Sequence, residues 1–342
     1  MVGTNSGDTS ADSSGSGDEF ALIDRLRARF ERAAGTHMGG GRPAEGEVWI
    51  GDDAAVVRSP AGGSALLATD LVVAGVHVDL DLCGLDDLGY KALMVTVSDL
   101  AAMGGRPDHV LLSIASPPGS DLDLLADGVA VAAQEAGCVV VGGDLSGSPA
   151  LVVSVAVSGS LHGSPQLGPL LRSGARPGDQ LLVTGPLGGS AAGLRLLRRR
   201  RRRDQSITSK PSAEESELIR AHRRPPARLD EGEVSRLSGA RAAIDISDGL
   251  VADIRHLARA SGVGIELDDL PVAPGSTTEE VLGGGEEYEL IVATGDAGRM
   301  QHEFATAGLR PPIVIGRCTD DPGRLELQGD PLPAGGWRHD FG

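Results

Sequence analysis

Five times along this chain a short apolar run leads into aspartate: at Gly51-Asp52-Asp53-Ala54-Ala55, Thr69-Asp70, Ser98-Asp99, Gly142-Gly143-Asp144 and Asp245-Ile246-Ser247-Asp248. Apolar runs of this length read as buried strands, and a carboxylate at the end of one is costly unless it caps the next helix or meets a cation. A single case is explained well enough as a cap. Five point to carboxylates converging on a hard divalent cation, since magnesium takes oxygen ligands and is held by carboxylates together with substrate phosphates. Without a cation such groups repel one another. In the last segment Asp245 and Ser247 lie two apart and share a face if the strand persists, while Asp248-Gly249 turns the chain toward a helix. The glycines of 142–144 let backbone amides approach a phosphate, although a glycine pair after a strand more often marks only a tight turn.

Strand and helix signals alternate, which places the fold in the α/β class. The pattern predicts a helix over 21–30 with Asp18 as cap, short strands at 48–50 and 65–67, and a helix or helix pair over 88–103. A strand at 110–114, a helix at 122–136 and strands at 139–141 and 151–157 follow. Turn chemistry over 172–179 precedes a strand at 180–183, then a helix after Gly188 and a polar, Arg-rich stretch to about residue 230. A strand at 242–246, a helix at 250–260 and strands near Ile265, Leu290 and Ile313 complete the chain. Its 342 residues suit two domains, expected over 19–160 and 161–342, behind a disordered tail at 1–18 rich in Ser, Gly, Asp and Thr.

Composition removes several function classes. Apolar residues make up 40% and charged ones 23%, the balance of a globular protein, and an aromatic share of 2% leaves packing to Val, Leu, Ile and Ala. The formal charge of −17 argues against a nucleic-acid partner, and the basic run 198–203 reads as a solvated helix end. Cys83, Cys138 and Cys318 are far apart and form no C-x-x-C pair, so neither a disulfide framework nor a thiolate zinc site is expected, and a reducing cytoplasm is the expected home. The apolar run at 151–157 is far too short for a membrane span. A P-loop needs Gly-Lys, and the only lysines, Lys91 and Lys210, follow Tyr and Ser. Neither H-E-x-x-H nor G-x-S-x-G occurs.

Taken in order, several segments resemble the thiamine-monophosphate kinase family of the aminoimidazole ribonucleotide synthetase-like superfamily. The most specific are Gly51-Asp52-Asp53-Ala54, Thr69-Asp70-Leu71-Val72-Val73-Ala74-Gly75-Val76-His77, Tyr90-Lys91-Ala92-Leu93 and Ser98-Asp99-Leu100-Ala101-Ala102-Met103-Gly104. Arg172-Ser173-Gly174, Val183-Thr184-Gly185, Ile244-Asp245-Ile246-Ser247-Asp248-Gly249-Leu250 and Gly284-Gly285-Glu286-Glu287-Tyr288-Glu289-Leu290 add to it, and the resemblance runs from about residue 19 to the C-terminus.

It implies a two-domain α/β (α+β) fold whose N-terminal domain pairs into a dimeric β-barrel beside a C-terminal α/β domain. It also implies a homodimer that transfers phosphate from ATP to thiamine monophosphate by direct in-line attack with Mg2+, giving thiamine diphosphate. By position it assigns Asp53, Thr69, Asp70, Asp99, Asp144, Asp245 and Asp248 to metal, with Asp99, Asp144 and Asp248 catalytic. Gly143, Asp144, Arg172 and Ser247 fall to the nucleotide, and His77, Glu286 and Trp337 to the acceptor. Lys91 reads as structural. The chain departs from the family pattern at Ala68, Leu145 and Glu287, where Ser, Thr and Asp are usual. The rival readings are a superfamily enzyme acting on another acceptor and a non-catalytic nucleotide-binding paralogue. Selenide chemistry is disfavoured, because the N-terminal region has no cysteine.

Overall fold

The computed structural model describes residues 19–34, 43–59, 63–164, 167–202 and 210–337. The tail at 1–18 with Asp18, the glycines at 39–41, Arg203 and residues 338–342 lie outside them. Helix α1 (Glu19–Ala34) covers the helix expected over 21–30.

Burial alternates along β2 (Ser64–Val73): Leu66 and Val72 point inward, while Leu67 and Leu71 point out. This is the period-two signature of a sheet with one packed face. With β1 (Ala55–Arg58), β3 (Arg106–Ser116), β4 (Val139–Gly147) and β5 (Val152–Ser160), it forms a five-stranded sheet of order β1-β2-β5-β3-β4. All pairings are antiparallel except β3 with β4, which are joined by the crossover helix α3 (Leu122–Ala136). The inner face packs on α2 (Leu85–Ala102), whose residues from Asp87 to Ser98 are all buried. Leu88, Leu93, Val97 and Leu100 of α2 meet Val110, Val153, Val155 and Val157 in one core. Glycines let α2 and α3 approach closely: a Cβ on Gly89 would overlap the Leu125 carbonyl, and one on Gly128 the Asp86 carbonyl.

The second sheet uses β6 (Gln180–Val183), β7 (Ala242–Asp245), β8 (Gly264–Leu267), β9 (Leu290–Thr294), β10 (Ile313–Thr319), β11 (Leu325–Leu327) and β12 (Asp330–Pro331), in the order β12-β11-β8-β10-β6-β9-β7. It is antiparallel except for β11 with β8. Around it lie α4 (Gly189–Arg202), α5 (Ala213–Arg223), α6 (Leu229–Leu237), α7 (Leu250–Ser261), α8 (Thr278–Gly283) and α9 (Ala297–Thr306). The mixed architecture thus takes the α+β form, because most strand partners run antiparallel.

Three local expectations change. Val48 and Ile50 make only isolated bridges, and the strand there is β1. The polar stretch before residue 230 contains α5, opened by a capping box between Ser212 and Glu215, and the start of α6. Of the five acidic segments, only the last has its aspartate on the closing residue of a strand, Asp245 of β7. Asp53 precedes β1, Asp70 and Asp144 lie within β2 and β4, and Asp99 lies in α2. For Asp99 this agrees with the helix expected over 88–103, since an apolar run is common to buried helices and buried strands. All three cysteines are free and buried. Among the described residues no helix is long and apolar enough to cross a membrane.

Candidate active site

One face of α2 builds the site. Ser98, near its C-terminal end, donates its hydroxyl to Asp245 Oδ2 at 2.6 Å. Two turns earlier on the same face, Lys91 Nζ lies 2.6 Å from Glu286 Oε1. Asp99 follows Ser98, and carboxylate oxygens from Asp53, Asp99 and Asp245 all lie within 4.8 Å of one another. Asp53 and Asp245 are buried and Asp99 is half-buried.

One guanidinium answers this charge. Arg172 Nε and Nη2 both donate to Asp53 Oδ1, at 3.0 and 2.6 Å. The other oxygen, Asp53 Oδ2, is buried with no partner. Asp52 accepts the Arg172 backbone N–H at 3.1 Å. The carboxyl groups respond as crowded, desolvated acids do. Burial, reinforced by the Asp53 charge, pushes Asp52 up to about 6. Burial and then Asp53 push Asp245 up to about 7, against the lowering effect of the Ser98 hydroxyl. Burial raises Asp99 well above its ordinary value, with the charges of Asp70, Asp245 and Asp53 adding to it. Burial raises Asp53 in spite of Arg172, and raises Asp70 in spite of a hydrogen bond from Thr96. An orphaned buried oxygen beside two more carboxylates, all hard donors, fits a divalent cation such as magnesium.

The remaining assigned residues divide. Thr69 stands on the outer face of β2, opposite to Asp70, and its hydroxyl donates to the Val155 carbonyl at 2.9 Å. Its side chain is therefore not presented to the aspartate cluster. Asp144 is also apart: the register runs Asp70 to Val155, Val155 to Leu112 and Leu112 to Gly143, three strand spacings, roughly 14 Å along the sheet. Gly143 packs so tightly on β3 that a Cβ would strike the Leu112 carbonyl. Asp248 sits with Asp253 and His256 in a second group of possible ligand atoms. Asp253 accepts the backbone N–H groups of Asp248 and Gly249, which accounts for it as the organiser of the turn into α7.

The strand ends at Asp245, so the shared-face argument for Ser247 lapses. Ser247 instead accepts the Glu286 N–H on its carbonyl at 2.7 Å. Trp337 N–H donates to the Asp248 carbonyl at 2.9 Å, and the residue is 52% exposed beside this turn. His77 Nδ1 accepts the Val73 N–H at 2.9 Å in the turn after β2.

Sequence reasoning did not single out Ser98, Asp52, His222 or Glu289. Glu289 accepts a two-pronged ion pair from Arg228 and a hydrogen bond from Thr184. Glu287 turns away from the cluster and accepts the Ser190 N–H at 3.1 Å, at the start of α4. Tyr288 is buried within the field of Glu286, Asp70, Asp245 and Asp99, and desolvation followed by those charges raises its phenol well above the ordinary value.

Residues 51–161 match the AIR synthase related protein, N-terminal domain, and residues 176–328 match the AIR synthase related protein, C-terminal domain. A protein named thiamine-monophosphate kinase from Salmonella typhimurium is 34% identical over 331 residues, 92% of this chain and 94% of that one. The chain belongs to the thiamine-monophosphate kinase family. A Mycobacterium tuberculosis protein of the same name is 35% identical over 91% of this chain and 88% of its own. A solved structure described as AaThiL complexed with AMPPCP and TMP superposes with a TM-score of 0.78 at 32% identity, covering 94% of this chain and 97% of that one.

The raised carboxyl groups make stability depend on pH in the absence of metal. Asp245 titrates near 7 when folded and 3.8 ordinarily, so between these values the native state holds a proton that the unfolded chain has lost. Stability contributed in this way is complete below the lower value and is lost as pH rises to the upper one. Thermal unfolding without metal is therefore expected to shift downward between about pH 4 and pH 7. Millimolar Mg2+ should restore roughly 4 °C or more at about pH 8, and far less at about pH 5. Equal shifts at both pH values, or a full shift in Asp245→Asn, would contradict this reading.

Proposed function

We propose that this chain transfers the γ-phosphoryl group of ATP to thiamine monophosphate, yielding thiamine diphosphate and ADP. The observation that carries the reading is near-full-length similarity to proteins named for that activity, in a chain that brings Asp53, Asp99 and Asp245 together. Phosphoryl transfer asks chiefly for positioning and neutralisation of charge. An acceptor phosphate oxygen is already ionised near neutral pH, so it attacks the γ-phosphorus directly, and the bond to ADP breaks with its electron pair leaving on ADP. No general base is required. Asp53, Asp99, Asp245 and Asp70 are the groups proposed to hold magnesium, which when bound neutralises the two phosphate groups brought together. Arg172 is proposed to exchange part of its pairing with Asp53 for the nucleotide, beside Ser247. His77, Glu286 and Trp337 are proposed to contact the acceptor. A division near residue 160 is supported by the two sheets, which fall on either side of it.

The exposed edge strand β4 supports a homodimer. Val139 is 61% and Leu145 69% exposed, Val141 is exposed between them, and Leu67, Leu71 and Leu111 are exposed on the outer face of the same sheet. Long apolar edges invite pairing with another strand. Asp144 and Gly143 lie on that edge, far from the cluster of their own chain, so a second copy is proposed to receive them.

A coupled assay with ATP and Mg2+, offering thiamine monophosphate, thiamine or an aminoimidazole precursor separately, should give product from the monophosphate alone. Asp99→Asn should lower kcat roughly a hundredfold or more. Turnover of another acceptor, or an unaffected mutant, would overturn the proposal. In sedimentation velocity the wild type should run as a dimer and Val141→Asp as a monomer. A monomeric wild type would remove the dimer from the account.

A further inference from the structure

Lys91 is 3% exposed, and lysine is rarely buried to that degree unless paired. Its ion-pair partner, Glu286, is not an ordinary surface carboxylate. Glu286 has φ 64°, in the left-handed region, and it follows three glycines that would adopt that conformation more easily. A side chain kept where glycine is the easier choice points to a carboxylate that is needed there. Its N–H is tied to the Ser247 carbonyl, which joins it to the Asp245–Asp248 turn. Its carboxylate stays 28% exposed, with one oxygen 2.6 Å from Lys91 Nζ and the other 3.4 Å from His222 Nδ1. Burial, with the charge of Lys91 next, pushes His222 down to about 3, so that imidazole is neutral. Among the described residues Lys91 is then the only cation within ion-pair reach of Glu286.

We infer that Lys91 is a positioning residue for the acceptor: it orients the Glu286 carboxylate beside the Asp245–Asp248 turn, where that carboxylate receives a cationic or hydrogen-bond-donating ring. The inference rests on the functional reading above. Thiamine phosphates carry both kinds of group, an aminopyrimidine and a thiazolium cation. Lys91 and Ser98 share one face of a buried helix, so a single rigid element sets the distance between the acceptor contact and the Asp245 carboxylate. A freely moving glutamate would not fix the acceptor phosphate against the cluster, and a small misplacement is expensive in phosphoryl transfer.

The test is steady-state kinetics and thermal unfolding of wild type, Lys91→Met, Glu286→Gln and the double variant. Each single variant should raise the KM for thiamine monophosphate roughly tenfold or more while the KM for ATP stays within about twofold. The double variant should match Glu286→Gln in that KM, because Lys91 acts only through the glutamate. It should also recover the thermal stability lost in Lys91→Met, which leaves a carboxylate without its cation. If Lys91→Met does not fold, the double variant carries the test against Glu286→Gln alone. Effects that multiply in the double variant, an ATP KM that rises equally, or a Lys91→Met variant that is less stable with an unchanged acceptor KM would each overturn the inference. A wild type that turns over no thiamine monophosphate overturns the functional reading and this inference with it, whereas wild-type turnover with multiplying effects overturns the inference alone.

Discussion

The repulsion among Asp53, Asp99 and Asp245 is the constraint around which this molecule is arranged. Three carboxylate oxygens within 4.8 Å, with Asp52 and Asp70 close by and Arg172 as their guanidinium, make a folded state that resists its own site. Each charge in such a place is desolvated as well as repelled, and both effects push the carboxyl groups toward the neutral form. The burial of α2 between the first sheet and β7 supplies the opposing force, through a core of aliphatic side chains and the close glycine contacts with α3. The packing thus holds the carboxylate oxygens together in spite of their repulsion.

The division of labour along α2 follows from helix geometry. Positions seven residues apart return to one face, so Lys91 and Ser98 both look toward the second half of the chain. One grips Glu286 and the other grips Asp245. The same element thus joins the two sheets and sets the spacing between the Glu286 carboxylate and the Asp245 carboxylate. Glu287 and Glu289, flanking Tyr288, do different work, capping α4 and pairing with Arg228. A run of acids in sequence is separated by backbone geometry into a half-buried carboxylate, Glu286, and two internal struts, Glu287 and Glu289.

Much of the site was legible in the sequence because acids after apolar runs are expensive and therefore informative. Asp53, Asp99 and Asp245 were singled out on that ground and meet in space. Asp99 rides on the helix expected over 88–103 and so reaches the cluster from a helix face, not from a strand end. Thr69, which the resemblance assigns to metal together with Asp70, faces the opposite side of β2, because side chains alternate along a strand. Asp144 shares with the others the pattern of an acid after an apolar run, whereas strand order, which no local pattern encodes, puts two strands between it and Asp70. The Ser98 to Asp245 bond spans 147 positions, and the Lys91 to Glu286 pair is likewise long-range. Such partners emerge only when the topology is known.

The most direct test of the central claim is anomalous diffraction from crystals grown with Mn2+ and a non-hydrolysable ATP analogue. The account predicts manganese peaks coordinated by Asp53, Asp99 and Asp245, with Asp53 Oδ2 among the ligand atoms and Arg172 withdrawn from full pairing with Asp53. Nucleotide bound with no peak at these carboxylates, or metal held wholly elsewhere, would mean that the cluster is not the cation site and that its charge is kept for another purpose.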